Sequence, residues 1–134
     1  MICEKLKRMF EAKMASALPP CLSYFEVVAR LNGVYRLSMV CNSYGCGNVG
    51  HLDAAYSNDD FTFNILSIGL GEDVKGKGYG KKLLEAVESL ASELGAKKII
   101  ARDSLEDKFW MHMGYLPQPP IYPGQRMHFE KKLY

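Results

Sequence analysis

The stretch Val-Lys-Gly-Lys-Gly-Tyr-Gly-Lys-Lys-Leu-Leu at residues 74–84 sits between an apolar, strand-like run ending at Leu70 and a run of helical period starting at Leu83. It therefore demands a strand, a short glycine loop and a helix in succession. Gly76, Gly78 and Gly80 alternate through the loop, and Lys75, Lys77, Lys81 and Lys82 crowd the helix start. A helix N-terminus already carries partial positive charge, so each cation there costs about 0.3–1 kcal/mol at low salt. A bound anion, cradled by exposed backbone N–H groups, offsets that cost. The loop reads as the seat of a phosphate-bearing ligand.

Around this loop the elements can be laid out. Ile2, Leu6, Met9, Phe10, Met14 and Ala17 share a helical face, predicting a helix over residues 1–18 that Pro19-Pro20 stop. Ser23 to Ala29 and Tyr35 to Cys41 read as strands flanking the hairpin signal Asn32-Gly33. A glycine-rich loop is expected from Asn42 to Gly50. Strands Val49 to Ala55 and Thr62 to Leu70 flank a turn at Ser57-Asn58-Asp59-Asp60. Leu83, Leu84, Val87, Leu90, Ala91 and Leu94 define the clearest helix, and Gly95 stops it. Lys97 to Ala101 reads as a short strand. Ser104 can cap a last helix, with Asp107 three residues on and Gly114 closing it. A strand near Tyr115, a proline-rich loop and a strand at Met127 to Leu133 follow. Helices placed late in a largely antiparallel run imply an α+β fold with one parallel crossover.

Composition narrows the class. With 134 residues the chain is expected to be one domain, 1–134. Hydrophobic content of 48% and charged content of 24% describe a globular protein. A net charge of only +2 argues against a dedicated nucleic-acid binder. No apolar run approaches the roughly eighteen residues of a membrane span. Glu4, Lys5, Lys7 and Arg8 interrupt any signal-peptide core, so a cytoplasmic location and no membrane partner are expected. Cys41 and Cys46 have a knuckle-like spacing without a second half-site; free thiols and no metal are the expectation for Cys3, Cys21, Cys41 and Cys46.

Known phosphate loops can be compared with 74–84. A P-loop fails because Lys82 stands where Ser or Thr is required, and Lys75 stands where its first glycine belongs. The dinucleotide fingerprint fails on the spacing of Gly76, Gly78 and Gly80, and the kinase loop fails likewise. Lys75-Gly-Lys-Gly78-Tyr-Gly80 instead resembles motif A of the GNAT acetyltransferase superfamily, Gln/Arg-x-x-Gly-x-Gly/Ala. Leu66-Ser-Ile-Gly-Leu70 looks like that family's fourth strand. Phe109-Trp-Met-His-Met-Gly114-Tyr115 resembles the aromatic signature closing its last helix, and Met127 to Leu133 resembles its final strand. The resemblance covers roughly residues 60–134 by motif and the N-terminal half by strand order.

It implies a sandwich-like α+β fold: a mixed, mostly antiparallel twisted sheet of about six to seven strands, helices on both faces, strands four and five splayed. It also implies acetyl-coenzyme A as cosubstrate and a primary amine as acceptor, on a protein or a small molecule. The pantetheine arm would pair with the backbone of Ile68 and Leu70. The pyrophosphate would meet Lys75, Gly76, Lys77, Gly78, Tyr79, Gly80 and Lys81. A backbone N–H of Leu70 would stabilise the oxyanion. The second aromatic of the signature is often a tyrosine that protonates the leaving thiolate; here it is Trp110, whose indole N–H has no usable acidity. Trp110 is expected as a packing wall beside pantetheine. Lys75 replaces Gln or Arg, keeping charge and losing planar geometry.

The general base stays open. Thr62 to Leu70 carries no Glu or His. Asp103 and Ser104 follow the fifth strand as weak candidates, and Ser104 reads first as a helix cap. His51 and Asp53 could act through a water or form a polar strand face. His112 reads as a surface residue, Glu72 and Asp73 as turn residues, and the loop 116–124 as rigid and aromatic beside the acceptor. A module that binds acyl-coenzyme A without turnover is the rival reading, and a lysine-based nucleic-acid binder a third. Acceptor and self-association, including a homodimer, stay open at this stage.

Overall fold

The computed structural model describes residues 2–15, 17–18, 21–43, 47–71, 76, 78–102, 107–120, 123–124 and 128–133. The elements are α1 (Ile2–Met14), β1 (Leu22–Ala29), β2 (Val34–Ser43), β3 (Gly47–Ser57), β4 (Thr62–Leu70), α2 (Tyr79–Glu93), β5 (Lys98–Ala101), α3 (Asp107–His112), β6 (Leu116–Gln118) and β7 (His128–Lys132). Among the described residues the strands form one sheet of seven, in the order β1-β2-β3-β4-β5-β7-β6. Every neighbouring pair is antiparallel except β4 with β5. That one parallel pair needs a crossover, and α2 supplies it.

Local chemistry sets the boundaries. Asn32 and Gly33 both take left-handed backbone (φ 60 and 71), the conformation a tight hairpin needs, and Arg30 N–H closes the loop onto the Val34 carbonyl at 2.7 Å. β4 spans the nine residues expected of it. The glycine-rich loop is shorter than expected: β2 continues to Ser43 and β3 begins at Gly47, leaving 44–46 outside the described residues. A bulge between Cys41 and Asn42 absorbs the poor strand formers there, since Cys41 faces Gly50 and Asn42 faces Asn48. α1 stops at Met14 rather than residue 18, yet Ala17 and Leu18 remain buried beyond it. Tyr115 precedes β6 rather than lying within it, and is 1% exposed.

The core lies between one sheet face and the helices. Leu6, Phe10 and Met14 of α1 and Leu83, Leu84, Val87, Leu90 and Ala91 of α2 bury against Leu37, Met39, Leu52, Ala54, Phe63, Ile65, Ile99 and Phe129. Each full burial of such a side chain contributes about 1.5–3 kcal/mol. α1 and α2 lie side by side, with Lys13 Nζ donating to Ser89 Oγ at 2.9 Å and pairing with Glu93. Tyr115, at the end of α3, donates from its hydroxyl to Glu88 of α2 at 2.9 Å. A mixed, mostly antiparallel seven-stranded sheet with helices packed on it is the architecture expected. The other face of β1 to β4 carries Tyr24, Glu26, Arg36, Ser38, His51, Asp53 and Ser67, all half-buried or exposed.

Candidate active site

The site begins where β4 and β5 part. Their pairing runs only from Thr62↔Lys98 to Ile65↔Ala101, and Arg102 N–H makes a last bond to the Ile65 carbonyl at 2.9 Å. β4 continues to Leu70 past the end of β5. The divergence has a local cause. Against β3, Asp53 faces Ser67 while Ala54 faces Ile65, so Leu66 is an extra residue on β4. Such a bulge bends its strand and increases its twist.

The phase of the backbone follows. Gly71 N–H donates to the Val49 carbonyl at 2.8 Å, and Leu70 faces Gly50. In an antiparallel ladder this makes Leu70↔Gly50 a non-hydrogen-bonded pair, with the N–H and C=O of Leu70 turned away from β3. Two residues back, Ile68 points the same way. Both aim into the space between the diverging strands, the positions expected to hold an extended ligand arm.

α2 starts beside this opening. Gly78 caps it with φ 83, no side chain bonds the first turn, and Gly76 also lies at positive φ. Only glycine enters that region freely, so these two glycines serve backbone shape. Gly80 lies in contact range of both neighbours: a Cβ there would make ordinary contacts, 3.5 Å from the Phe109 ring and 3.6 Å from Leu70 Cδ1. Leu70, Gly80 and Phe109 thus bring β4, α2 and α3 together at one point. Lys81 and Lys82 are exposed, Lys82 Nζ lying 5.3 Å from the centre of the Tyr79 ring. Lys75, Lys77, Asp103, Ser104, Glu72 and Asp73 lie outside the described residues.

Trp110 is 2% exposed, edge-on to Phe109 (5.3 Å between centroids) and to Tyr115 (5.1 Å). The half-buried Phe109 is the ring at the cleft, with Trp110 behind it. Sequence reasoning assigned Phe109 no role; its place beside Trp110 in the aromatic signature was the available signal. Burial first, then the charge of the bonded Glu88, pushes the Tyr115 hydroxyl far above the usual tyrosine range, so it serves as a hydrogen-bond donor. His112 is exposed on α3, as expected.

On the open sheet face, Arg36 Nη2 bonds both carboxylate oxygens of Asp53 at 2.8 Å, which engages Asp53 structurally. His51 Nε2 lies 2.8 Å from Ser67 Oγ, and a Cβ on Gly69 would come within 2.5 Å of His51 Cε1. Among the described residues no group of three or more His, Cys, Asp or Glu side chains could hold a metal, and no helix is long and apolar enough to cross a membrane. Cys3, Cys21 and Cys41 are free thiols.

A diverging parallel strand pair, with a glycine-started helix beside it and a strand edge left open, defines the acetyltransferase class of folds. The chain belongs to the acetyltransferase (GNAT) family, whose model matches residues 23–115. That match takes in β1 to β3, which sequence inspection had tied to the family by strand order only. Family membership supports acyl-coenzyme A-dependent acetyl transfer in general. No curated protein matches the chain in sequence. Solved structures with a similar fold include a GNAT-family acetyltransferase from Staphylococcus aureus Mu50, at 15% identity and TM-score 0.61, covering 77% of this chain and 70% of that one. Nourseothricin acetyltransferase is 15% identical with TM-score 0.59, covering 90% and 94%. The Escherichia coli N-acetyltransferase YhbS, solved in complex with coenzyme A, is 11% identical with TM-score 0.60, covering 87% and 84%.

Proposed function

We propose that the protein is an acetyl-coenzyme A-dependent N-acetyltransferase that passes the acetyl group directly to a primary amine, through a tetrahedral intermediate. The observation that carries this reading is the outward-facing backbone of Ile68 and Leu70 beside the glycine-capped start of α2. In this reading an extended pantetheine arm adds to the open edge of β4 as a further strand would. The pyrophosphate takes the backbone N–H groups around Gly76, Gly78 and Gly80, with Lys75, Lys77 and Lys81 supplying charge and Tyr79 a flanking ring. Leu70 N–H donates to the carbonyl oxygen as it gains charge. Trp110 backs Phe109 as the apolar wall, and thiolate departure proceeds without a tyrosine acid. A free thiol has a pKa of about 8.5, so the thiolate is a tolerable leaving group near neutral pH.

A thermal melt with and without acetyl-coenzyme A tests the binding half. At a hundred times its dissociation constant the ligand should add about 2.7 kcal/mol of stability. No rise in melting temperature with acetyl-coenzyme A or any other acyl-coenzyme A contradicts the reading.

A further inference from the structure

We propose that Ser67 and His51 form the proton-accepting pair of the acetyl-transfer site, an inference that rests on the N-acetyltransferase reading above. β4 carries no carboxylate or imidazole from Thr62 to Leu70. The register with β3 brings an imidazole to it. Asp53 faces Ser67 and His51 faces Gly69, so His51, Ser67 and the missing side chain of Gly69 share one face of the sheet. Gly69 makes the contact sterically available. A Cβ there would stand 2.5 Å from His51 Cε1 and 3.1 Å from Nδ1, so any other residue would push the ring off the strand. With glycine, the imidazole lies across β4 and meets the Ser67 hydroxyl at 2.8 Å.

Position puts this pair beside the backbone proposed to hold the reacting carbonyl. Ser67 follows the bulge residue Leu66 directly, where β4 leaves β5, and Gly69 immediately precedes Leu70. The other charged groups on this face of β1 to β3 are Glu26, Arg36 and Asp53, and the last two are committed to each other. The paired Arg36 and Asp53 largely cancel, so that pair adds little net charge beside the imidazole.

The acceptor arrives as an ammonium ion and gives one proton to Ser67 Oγ as the serine proton passes to His51 Nε2. The neutral amine then forms a bond to the thioester carbonyl carbon, whose π electrons move to oxygen. Collapse breaks the C–S bond, and the departing thiolate takes the second nitrogen proton. The products are an amide, a free thiol and an imidazolium that returns its proton to water. Ser67 touches the substrate, and His51 acts through it.

The test uses the full chain and reads binding and turnover separately. His51→Gln and Ser67→Ala should keep the melting-temperature rise given by acetyl-coenzyme A, while thiol release in the presence of the amine falls about a hundredfold or more. In wild type the pH profile of kcat/KM should carry an acid limb that reports this pair, because the pair accepts a proton only when His51 is neutral. His51→Gln should lose that limb. A His51→Gln enzyme whose rate stays within about twofold of wild type, or whose limb keeps its midpoint, overturns the assignment while leaving acetyl transfer standing. Wild type that binds acetyl-coenzyme A yet releases no thiol with any amine overturns the transfer reading, and the proton-accepting role with it.

Discussion

At the scale of single residues, burial and conformation explain more than charge does. Gly69 leaves room for an imidazole in the space its side chain would fill, and Gly78 is required because the chain turns through φ 83. Cys41 shows the same logic in its protonation. Burial, partly opposed by the Ser23 hydroxyl 3.1 Å away, pushes its thiol up from 9.0 to about 11. The fold therefore holds the neutral thiol, and that contribution to stability is whole below pH 9 and disappears as pH rises towards 11. The urea midpoint should fall across this window, and the fall should be smaller in Cys41→Ala. Equal falls in the two proteins would show that the thiol has no part in it. These residue-level features were only partly legible in the sequence. Positive φ at Gly78 could be expected from its loop, but the His51–Ser67 contact depends on a strand register and a bulge at Leu66 that no local pattern announces.

At the scale of elements, sequence reading does best where one element supplies its own signal. β4 matches its expected bounds because an apolar run lies between two polar turns. α2 is equally clear, because its buried positions recur with helical period. Where neighbours decide, reading falls short: β2 and β3 extend through Asn42 and Gly47 because their pairing with each other outweighs low strand propensity. The same applies to Phe109 and Trp110, adjacent aromatics whose order of approach to the cleft is fixed by packing against Gly80 and Tyr115. The start of α2 carries the element-scale prediction. Gly78→Glu places a carboxylate at the proposed pyrophosphate seat and forces a side chain into left-handed backbone, a strain of about 1–2 kcal/mol. The far-UV spectrum should be kept and acetyl-coenzyme A binding lost, as read by titration calorimetry. Undiminished affinity would place the phosphates elsewhere.

At the scale of the molecule, the sheet and its helices divide the work. The helices pack on the sheet and supply stability, while the divergence of β4 from β5 leaves backbone polar groups that a continuous sheet would have paired. In the proposed reading acetyl-coenzyme A uses that opening, its extended arm on the strand edge and its anionic end at the helix start. The motif order from Leu66 to Tyr115 made the family and its fold readable in advance. The acceptor was not readable, since the surfaces expected around it come from segments whose sequence carries no comparable motif.

The most direct test of acetyl transfer is release of the coenzyme A thiol from acetyl-coenzyme A, followed continuously against a panel of primary amines: lysine-containing peptides, peptide N-termini, polyamines and aminated antibiotics. The account predicts release that requires both the protein and one class of amine, matched mole for mole by the acetylated amine. Binding of acetyl-coenzyme A without release for any amine would contradict it and make the protein an acyl-coenzyme A-binding module.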